Sequence, residues 1–213
     1  MSRVKAPRSY SSPVRDEQAA RTRARILDAA SELFLERGYA RTTMQEIADR
    51  SGVSRDTVHA VFGSKPRVLT SVIDRQLVPD GSVANIADRP DAQAIKHETD
   101  QRKQIALFAD FITKVSIHVR PMSHVMRTAA ASEPAMANVF EEMERYRLKN
   151  MQTYAKWIAA RGPLRVTLKR AGEIIWTLAS PDVGRLVCDE LGWTQAQHAD
   201  WLADALERTL LPD

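Results

Sequence analysis

Apolar side chains recur every three or four residues along most of the chain from Gln18 onward. The first such stretch ends at Gly38 and contains Ile26, Leu27, Ala30, Leu33 and Phe34. This spacing matches the 3.6-residue turn of an α-helix, and glycine commonly follows the end of a helix. Apart from the short LRVTL at 164–168, no segment alternates with the two-residue period of a strand. The pattern therefore predicts an all-α protein.

Two short helices are predicted after the first one, with a break of three residues between them. Thr43 and Glu46 have the spacing of a capping box, which begins the first of the two. Ser-Gly-Val at 51–53 interrupts the pattern, Ser54 can cap the next helix, and Gly63 ends it. The result is a helix-turn-helix pattern from about residue 43 to residue 62.

A helix-turn-helix pattern suits DNA, because a short helix fits the major groove and its N-terminal residues can reach base edges. The alternative is an ordinary helical hairpin whose polar face is merely hydrated. The charge distribution favours a polyanion as partner. Residues 1–75 hold 14 Lys and Arg against 9 Asp and Glu, whereas residues 76–213 hold 17 against 18.

The remainder of the chain predicts a connection followed by long helices. Residues 79–97 contain two prolines and show little periodicity, so we expect a linker or a mobile helix–helix connection there. Helical patterns follow at 98–118, 121–131, 134–161, 167–179, 182–190 and 194–211.

Composition excludes several classes of protein. No apolar run approaches the roughly 20 residues of a membrane-spanning helix, and the basic N-terminus lacks the apolar stretch of a secretory signal. We therefore expect a cytoplasmic protein without a membrane partner. The single cysteine, Cys188, excludes an internal disulfide framework. The histidines and acidic residues lack metal-ligand and catalytic spacings, so we expect no metal, no cofactor and no enzymatic activity.

Three segments together resemble the DNA-binding region of the tetracycline-repressor (TetR) family of bacterial transcription regulators. They are RILDAASELFLERGY, TTMQEIADRSGVSRDTV and FGSKPRVL, in this order within residues 21–69. The C-terminal segment IIWTLASPDVGRLVCDELGWTQAQHADWLADAL also resembles the tail of many members. The resemblance implies an N-terminal three-helix helix-turn-helix domain at 18–78. It also implies a flexible basic arm at 1–17 and a helical effector-binding and dimerisation domain at 79–213.

The resemblance implies a set of DNA contacts around the second short helix. Arg55 and Thr57 would read base edges, with Ala60 in reach of a thymine methyl group. Base edges carry the sequence information, whereas phosphate contacts position the protein on the duplex. The phosphate contacts would come from Thr42, Thr43, Ser54 and Lys65.

Three features leave alternatives open. His59 stands where the family commonly has tyrosine; its imidazole could donate to a phosphate or simply replace the aromatic packing. Asp56 could accept a hydrogen bond from a cytosine amino group, or merely favour the helix N-terminus. The basic arm could follow the minor groove or the DNA backbone, or be a disordered tail; its charges are Arg3, Lys5, Arg8 and Arg15.

The C-terminal helices carry stripes of Met and aromatic residues, which on their own are typical of a plain core. TetR-like proteins usually bind a small effector between these helices and pair their last two long helices with a second chain. The resemblance therefore implies an effector pocket formed by Phe108, Phe111, Ile112, Met122, Met126, Met136, Phe140, Met143, Tyr154, Trp157 and Trp176. It also implies a homodimer interface formed by Ile174, Ile175, Leu178, Trp201, Leu202, Ala205, Leu206 and Leu210.

These features lead us to expect a transcriptional repressor that binds double-stranded operator DNA and is released by a small-molecule effector. A pseudo-palindromic operator would match a homodimer, because two half-sites need two recognition helices at fixed spacing. The alternatives are an activator, a regulator without a small ligand, or, in a different class, a helical enzyme or carrier with a vestigial DNA-binding domain. The sequence shows no set of residues spaced for acid–base catalysis, and this counts against the enzyme alternative.

Overall fold

The computed structural model describes residues 13–78 and 85–212, and every regular element within these ranges is helical. The helices are α1 (Pro13–Arg37), α2 (Met44–Ser51), α3 (Arg55–Phe62), α4 (Lys65–Leu77), α5 (Pro90–His97), α6 (Gln101–Ser132), α7 (Pro134–Ala159), α8 (Leu168–Leu178), α9 (Pro181–Gly184) and α10 (Gln195–Leu210). A 3-10 helix (Ile86–Asp88) precedes α5, and a π-helical turn (Arg185–Glu190) follows α9. The prediction of an all-α fold is confirmed.

The short helices α2 and α3 begin and end where their caps predict. The Thr43 hydroxyl accepts from the backbone N–H of Glu46, and the Glu46 carboxylate accepts from the backbone N–H of Thr43 at 2.9 Å. Gly52 ends α2 in the left-handed conformation (φ 66°), which is unfavourable for residues that have a Cβ atom. The Ser54 hydroxyl accepts from the backbone N–H of Thr57 at 3.0 Å and begins α3.

Three sequence-based boundaries differ from the structure. The patterns predicted at 98–118 and 121–131 form one helix of 32 residues, α6, with Pro121 inside it. The helix continues through this proline because Val119 and Met122 on either side are buried and hold both halves against other helices. The linker prediction is wrong for residues 86–97, where Ala92 and Ile95 of α5 are buried; residues 79–84 lie outside the described residues.

The third difference concerns the basic arm predicted at 1–17. Residues 13–17 already belong to α1, so Arg15 is part of a helix and not of a flexible tail. Residues 1–12, with Arg3, Lys5 and Arg8, lie outside the described part of the chain.

Two cores of buried side chains organise the molecule. One joins α1–α4, and the other joins α5–α8 and α10. Helix α6 takes part in both: its middle lies in the second core, and its last turns enter the first core beside Met136 of α7. The residues that α6 adds to the first core are Met122, Val125, Met126 and Ala129. Because protein interiors are close-packed, a displacement of α6 is transmitted to α1–α4.

Polar contacts fix α6 to the segment that follows α8. The guanidinium of Arg120 donates to the carbonyl oxygen of Gly184 at 3.0 Å and pairs with the Asp189 carboxylate at 2.9 Å. Two turns further along, Arg127 pairs with Asp182. Both arginines lie on the part of α6 that leads into the first core, so the C-terminal helices hold this end of α6 in place.

Candidate functional site

Helices α2 and α3 and the turn between them form the helix-turn-helix at one end of the molecule. Val58 and Phe62 of α3 are buried in the first core, which leaves the opposite side of α3 at the surface. The exposed residues there include most of the predicted DNA contacts: Ser54, Arg55, Asp56 and Ala60. Thr57 and His59 are half-buried beside them. The structure thus brings six of the predicted contacts together on one short helix and its cap.

An arginine of α1 fixes the turn of the helix-turn-helix, and the sequence gives no signal for it. The guanidinium of Arg25 donates to the carbonyl oxygen of Ser51, with Nε at 3.1 Å, and to that of Gly52 at 3.0 Å. These two oxygens lie at the C-terminus of α2, where a cation is favourable. Arg25 is therefore a positioning residue for α3.

The phosphate contact predicted for Thr42 is wrong in this structure. Thr42 is fully buried, and its hydroxyl donates to the carbonyl oxygens of Leu33 at 3.2 Å and Gly38 at 2.9 Å. Its role is to join the end of α1 to the start of α2. Thr43 is exposed as predicted, and its hydroxyl takes part in the capping box of α2.

Lys65, predicted to be an exposed phosphate contact, is half-buried. Its ammonium group donates to the carbonyl oxygen of Tyr39 at 3.0 Å and lies 4.0 Å from the centre of the Tyr39 ring. Burial lowers the pKa of this lysine, although the charge of Glu133 acts in the opposite direction. Lys65 therefore links the start of α4 to the segment that follows α1, whether or not its remaining N–H groups reach a phosphate.

We expect Lys65→Met to lower the free energy of unfolding by about 1–2 kcal/mol, because it removes a cation–π contact and a hydrogen bond together. Urea denaturation followed by circular dichroism measures this change. Arg67→Met is the matched control, because Arg67 is an exposed cation on the same helix. Equal loss of stability in both variants would contradict a structural role for Lys65.

The imidazole of His59 has one nitrogen already engaged. Its Nδ1 lies 3.2 Å from the carbonyl oxygen of Gly63, which ends α3, so Nδ1 carries the proton when this hydrogen bond forms. The other nitrogen of a neutral ring is then an acceptor. Donation to a phosphate would consequently require the doubly protonated imidazolium. The alternative that His59 only replaces the packing of an aromatic ring agrees with the structure in part, because the imidazole is half-buried at the end of α3.

A cavity of about 140 Å³ lies where α4, α6 and α7 meet. Ile112 and Met143 are the predicted pocket residues that line it. The pocket assignment is wrong for the other methionines, because Met122, Met126 and Met136 are buried in the first core. Phe140 packs against that core. The sequence pattern places all of them on apolar helix faces and does not distinguish a core from a cavity wall.

The predicted aromatic pocket residues also lie away from this cavity. Tyr154 is fully buried, with ring centres 4.7 Å from Phe108 and 4.9 Å from Trp157, so these rings fill the second core. Phe111 lines a separate pocket of about 370 Å³ beside α5. Trp176 lines a third, more open depression of about 580 Å³ between α7 and α8.

The residues predicted for the dimer interface divide into two groups. Ile175, Leu202, Leu206 and Leu210 are fully buried within the chain's own second core, so the interface prediction is wrong for these four. The other four are half-exposed on α8 and α10: Ile174, Leu178, Trp201 and Ala205. Each pair is spaced four residues apart and therefore lies on one face of its helix.

Residues 13–78 and 85–212 hold neither a cluster of metal-binding side chains nor a membrane-spanning helix. No group of three or more His, Cys, Asp or Glu side chains in these ranges could hold a metal ion. None of the helices in these ranges has both the length and the apolar character needed to cross a membrane.

The fold and the exposed surface of α3 define a helix-turn-helix module, the kind of module that binds DNA. Residues 26–72 match the family model of bacterial regulatory proteins of the tetR family. The N-terminal helical region of the chain is therefore of the tetR type, and the proteins that share it are transcription regulators.

Curated relatives agree with this assignment. The chain is 37% identical over 102 residues to the transcriptional activator FasR of Mycolicibacterium smegmatis, an alignment that covers 46% of this chain and 42% of FasR. It is 37% identical over 90 residues to the transcriptional repressor BepR of Brucella suis, covering 42% of this chain and 43% of BepR. The chain thus spans about two fifths of the length of these relatives.

The fold itself is shared over nearly the whole chain with solved structures. The structure of SmeT in complex with triclosan matches with a TM-score of 0.67 and 22% sequence identity, over 90% of this chain and 92% of SmeT. At this identity the likeness concerns the fold, including the helices that surround the cavity.

Proposed function

We propose that the protein represses transcription as a homodimer that binds a pseudo-palindromic operator and is released by a small-molecule effector. The observation that carries the proposal is the surface of α3, where Ser54, Arg55, Asp56 and Ala60 are exposed at the front of a short helix fixed by Arg25. The expected base readers on this surface are Arg55 and Thr57. As a regulator of transcription, the protein would act in the cytoplasm, where bacterial DNA lies.

The position of α6 supports control by an effector, because this one helix contacts both the cavity and the DNA-binding helices. The middle of this helix lines the 140 Å³ cavity, and its last turns pack among α1–α4. A ligand that favours another position of α6 would change the position of α3, because only a difference in affinity between two states can shift their equilibrium. A coupling of about 1–3 kcal/mol would weaken DNA binding roughly 5- to 150-fold.

The experiment is a gel shift with the DNA that flanks the protein's own gene. We expect a complex that persists in excess unrelated DNA, with an affinity that falls linearly with the logarithm of salt concentration because phosphate contacts release counterions. Binding that is no tighter than to unrelated DNA of the same length would contradict the proposal for this operator region.

Activation is the second candidate, and the likeness to the activator FasR favours it. The two candidates differ in a reporter assay with the bound promoter. Deleting the gene for this protein should raise expression if the protein is a repressor and lower it if the protein is an activator.

A further inference from the structure

The wall of the 140 Å³ cavity is largely apolar, with three charged side chains: Asp74, Glu144 and Arg147. Two of the three neutralise each other. Glu144 Oε2 accepts from Nε of Arg147 at 3.0 Å and from its Nη2 at 2.8 Å, while Nη1 of the same guanidinium donates to the carbonyl oxygen of Trp176 at 2.8 Å. One negative charge, that of Asp74, is left over.

The carboxylate of Asp74 has no hydrogen bond and no ion pair with any residue that the structure describes. Burial raises the pKa of this group, and the nearby charge of Arg23 lowers it only in part. Asp74 lies at the rim of the cavity, and its side chain is exposed to solvent on the outer side. A carboxylate at the rim of an apolar cavity, which has no ion pair with a described residue, favours a cation beside it.

In the part of the chain that the structure describes, the larger pocket beside α5 has no acidic side chain without an ion pair. Its acidic residues Asp91 and Asp110 pair with Arg89 at 2.9 Å and with Lys114 at 2.6 Å. Among the described residues, an acidic side chain without an ion pair therefore lines the smaller cavity and not the larger pocket.

The size and polarity of the cavity limit the ligand further. A space of about 140 Å³ is close to the roughly 150 Å³ that accommodates benzene in a protein interior. The apolar wall includes Ile112, Val119 and Met151. Within it, the buried hydroxyl oxygen of Ser116 has no hydrogen-bond partner in the structure, so a polar group of a ligand can satisfy it.

We propose that this cavity binds an organic cation whose apolar part is about the size of one aromatic ring and whose positive group pairs with Asp74. The role of this cation as an effector rests on the proposed function. Its binding does not, because every residue named lies within one chain and none contacts DNA in the proposal.

The position of Asp74 connects such a ligand to the recognition helix. Asp74 belongs to α4 and interacts electrostatically with Arg23 of α1. The Arg23 guanidinium donates to the hydroxyl of Ser71 at 3.2 Å and lies 4.5 Å from the centre of the Phe62 ring, at the end of α3. A cation that pairs with Asp74 alters the field at Arg23, one contact away from α3.

Isothermal titration of the DNA-free protein with three matched probes tests the proposal. The probes are 2-phenylethylammonium, the neutral 2-phenylethanol and the anionic 3-phenylpropanoate. We expect the ammonium compound to bind about threefold more tightly than the alcohol, since solvent partly screens an ion pair with an exposed carboxylate, and the anion to bind most weakly. Asp74→Asn should abolish the preference for the cation, whereas Asp110→Asn, in the other pocket, should retain it.

Equal affinity for the ammonium compound and the alcohol, or no binding of the ammonium compound at millimolar concentration, would overturn the proposal. The same holds if Asp74→Asn, shown by circular dichroism to be folded, keeps the preference. A gel shift with the ammonium compound then tests the effector role separately. A protein that binds the cation through Asp74 but does not release operator DNA would contradict the proposed function and leave the binding site intact.

Discussion

Replacing Arg55 with alanine is expected to weaken binding to the operator about 5- to 150-fold and to relax its sequence preference, since a good bidentate base contact contributes about 1–3 kcal/mol of discrimination. Arg55 is the first residue of α3, and its exposed side chain has no hydrogen bond or ion pair with the described residues. The side chain is thus available to DNA. Selection from random DNA, combined with titration of the selected operator, measures both effects.

The stability of the Arg55→Ala variant should stay within about 0.5 kcal/mol of the wild type, because exposed side chains without specific contacts contribute little. Arg145→Ala is the matched control: it removes the same charge from an exposed position on α7, far along the chain from α3. We expect this control to keep the sequence preference of the wild type. An Arg55→Ala variant that selects the same motif with the same affinity would contradict a base-reading role.

Local chemistry made the helix-turn-helix predictable from the sequence. The caps at Thr43 and Ser54 depend on contacts between residues three positions apart, and the left-handed Gly52 depends on one residue. Such features are readable from spacing alone. The exposure of the front of α3 follows as well, because the apolar residues Val58 and Phe62 fix which side of so short a helix is buried.

The parts that could not be predicted depend on contacts between residues distant in sequence. Thr42 and Lys65 look like exposed polar residues, but α1 buries the first and Tyr39 engages the second. The sequence pattern assigns the methionines of α6 to a ligand pocket, but they pack against α1–α4. The sequence gives no signal for Asp74, because its significance depends on its position at the rim of a cavity formed by three helices.

The sequence pattern also does not distinguish a residue of the chain's own core from a residue of the dimer interface, and this affects how the interface can be tested. Leu206 faces the chain's own core and is fully buried, so Leu206→Ala should lower the free energy of unfolding by about 2–5 kcal/mol through the cavity it creates. A charged residue at this position would unfold the chain whether or not it dimerises. Tests of the interface therefore have to use the half-exposed face of α8 and α10.

We expect the double variant Leu178→Glu and Ala205→Glu to be folded and monomeric, because two like charges on each copy would be brought together without solvent in a symmetric interface. Sedimentation velocity measures the mass, and circular dichroism confirms the fold. Leu168→Glu is the matched control: Leu168 is an exposed leucine at the start of α8, outside the face that carries Ile174 and Leu178, and its replacement should leave a dimer. A folded double variant that sediments as a dimer would place the interface on another surface. A monomeric variant should also lose tight operator binding, since each half-site would then be bound by a single recognition helix.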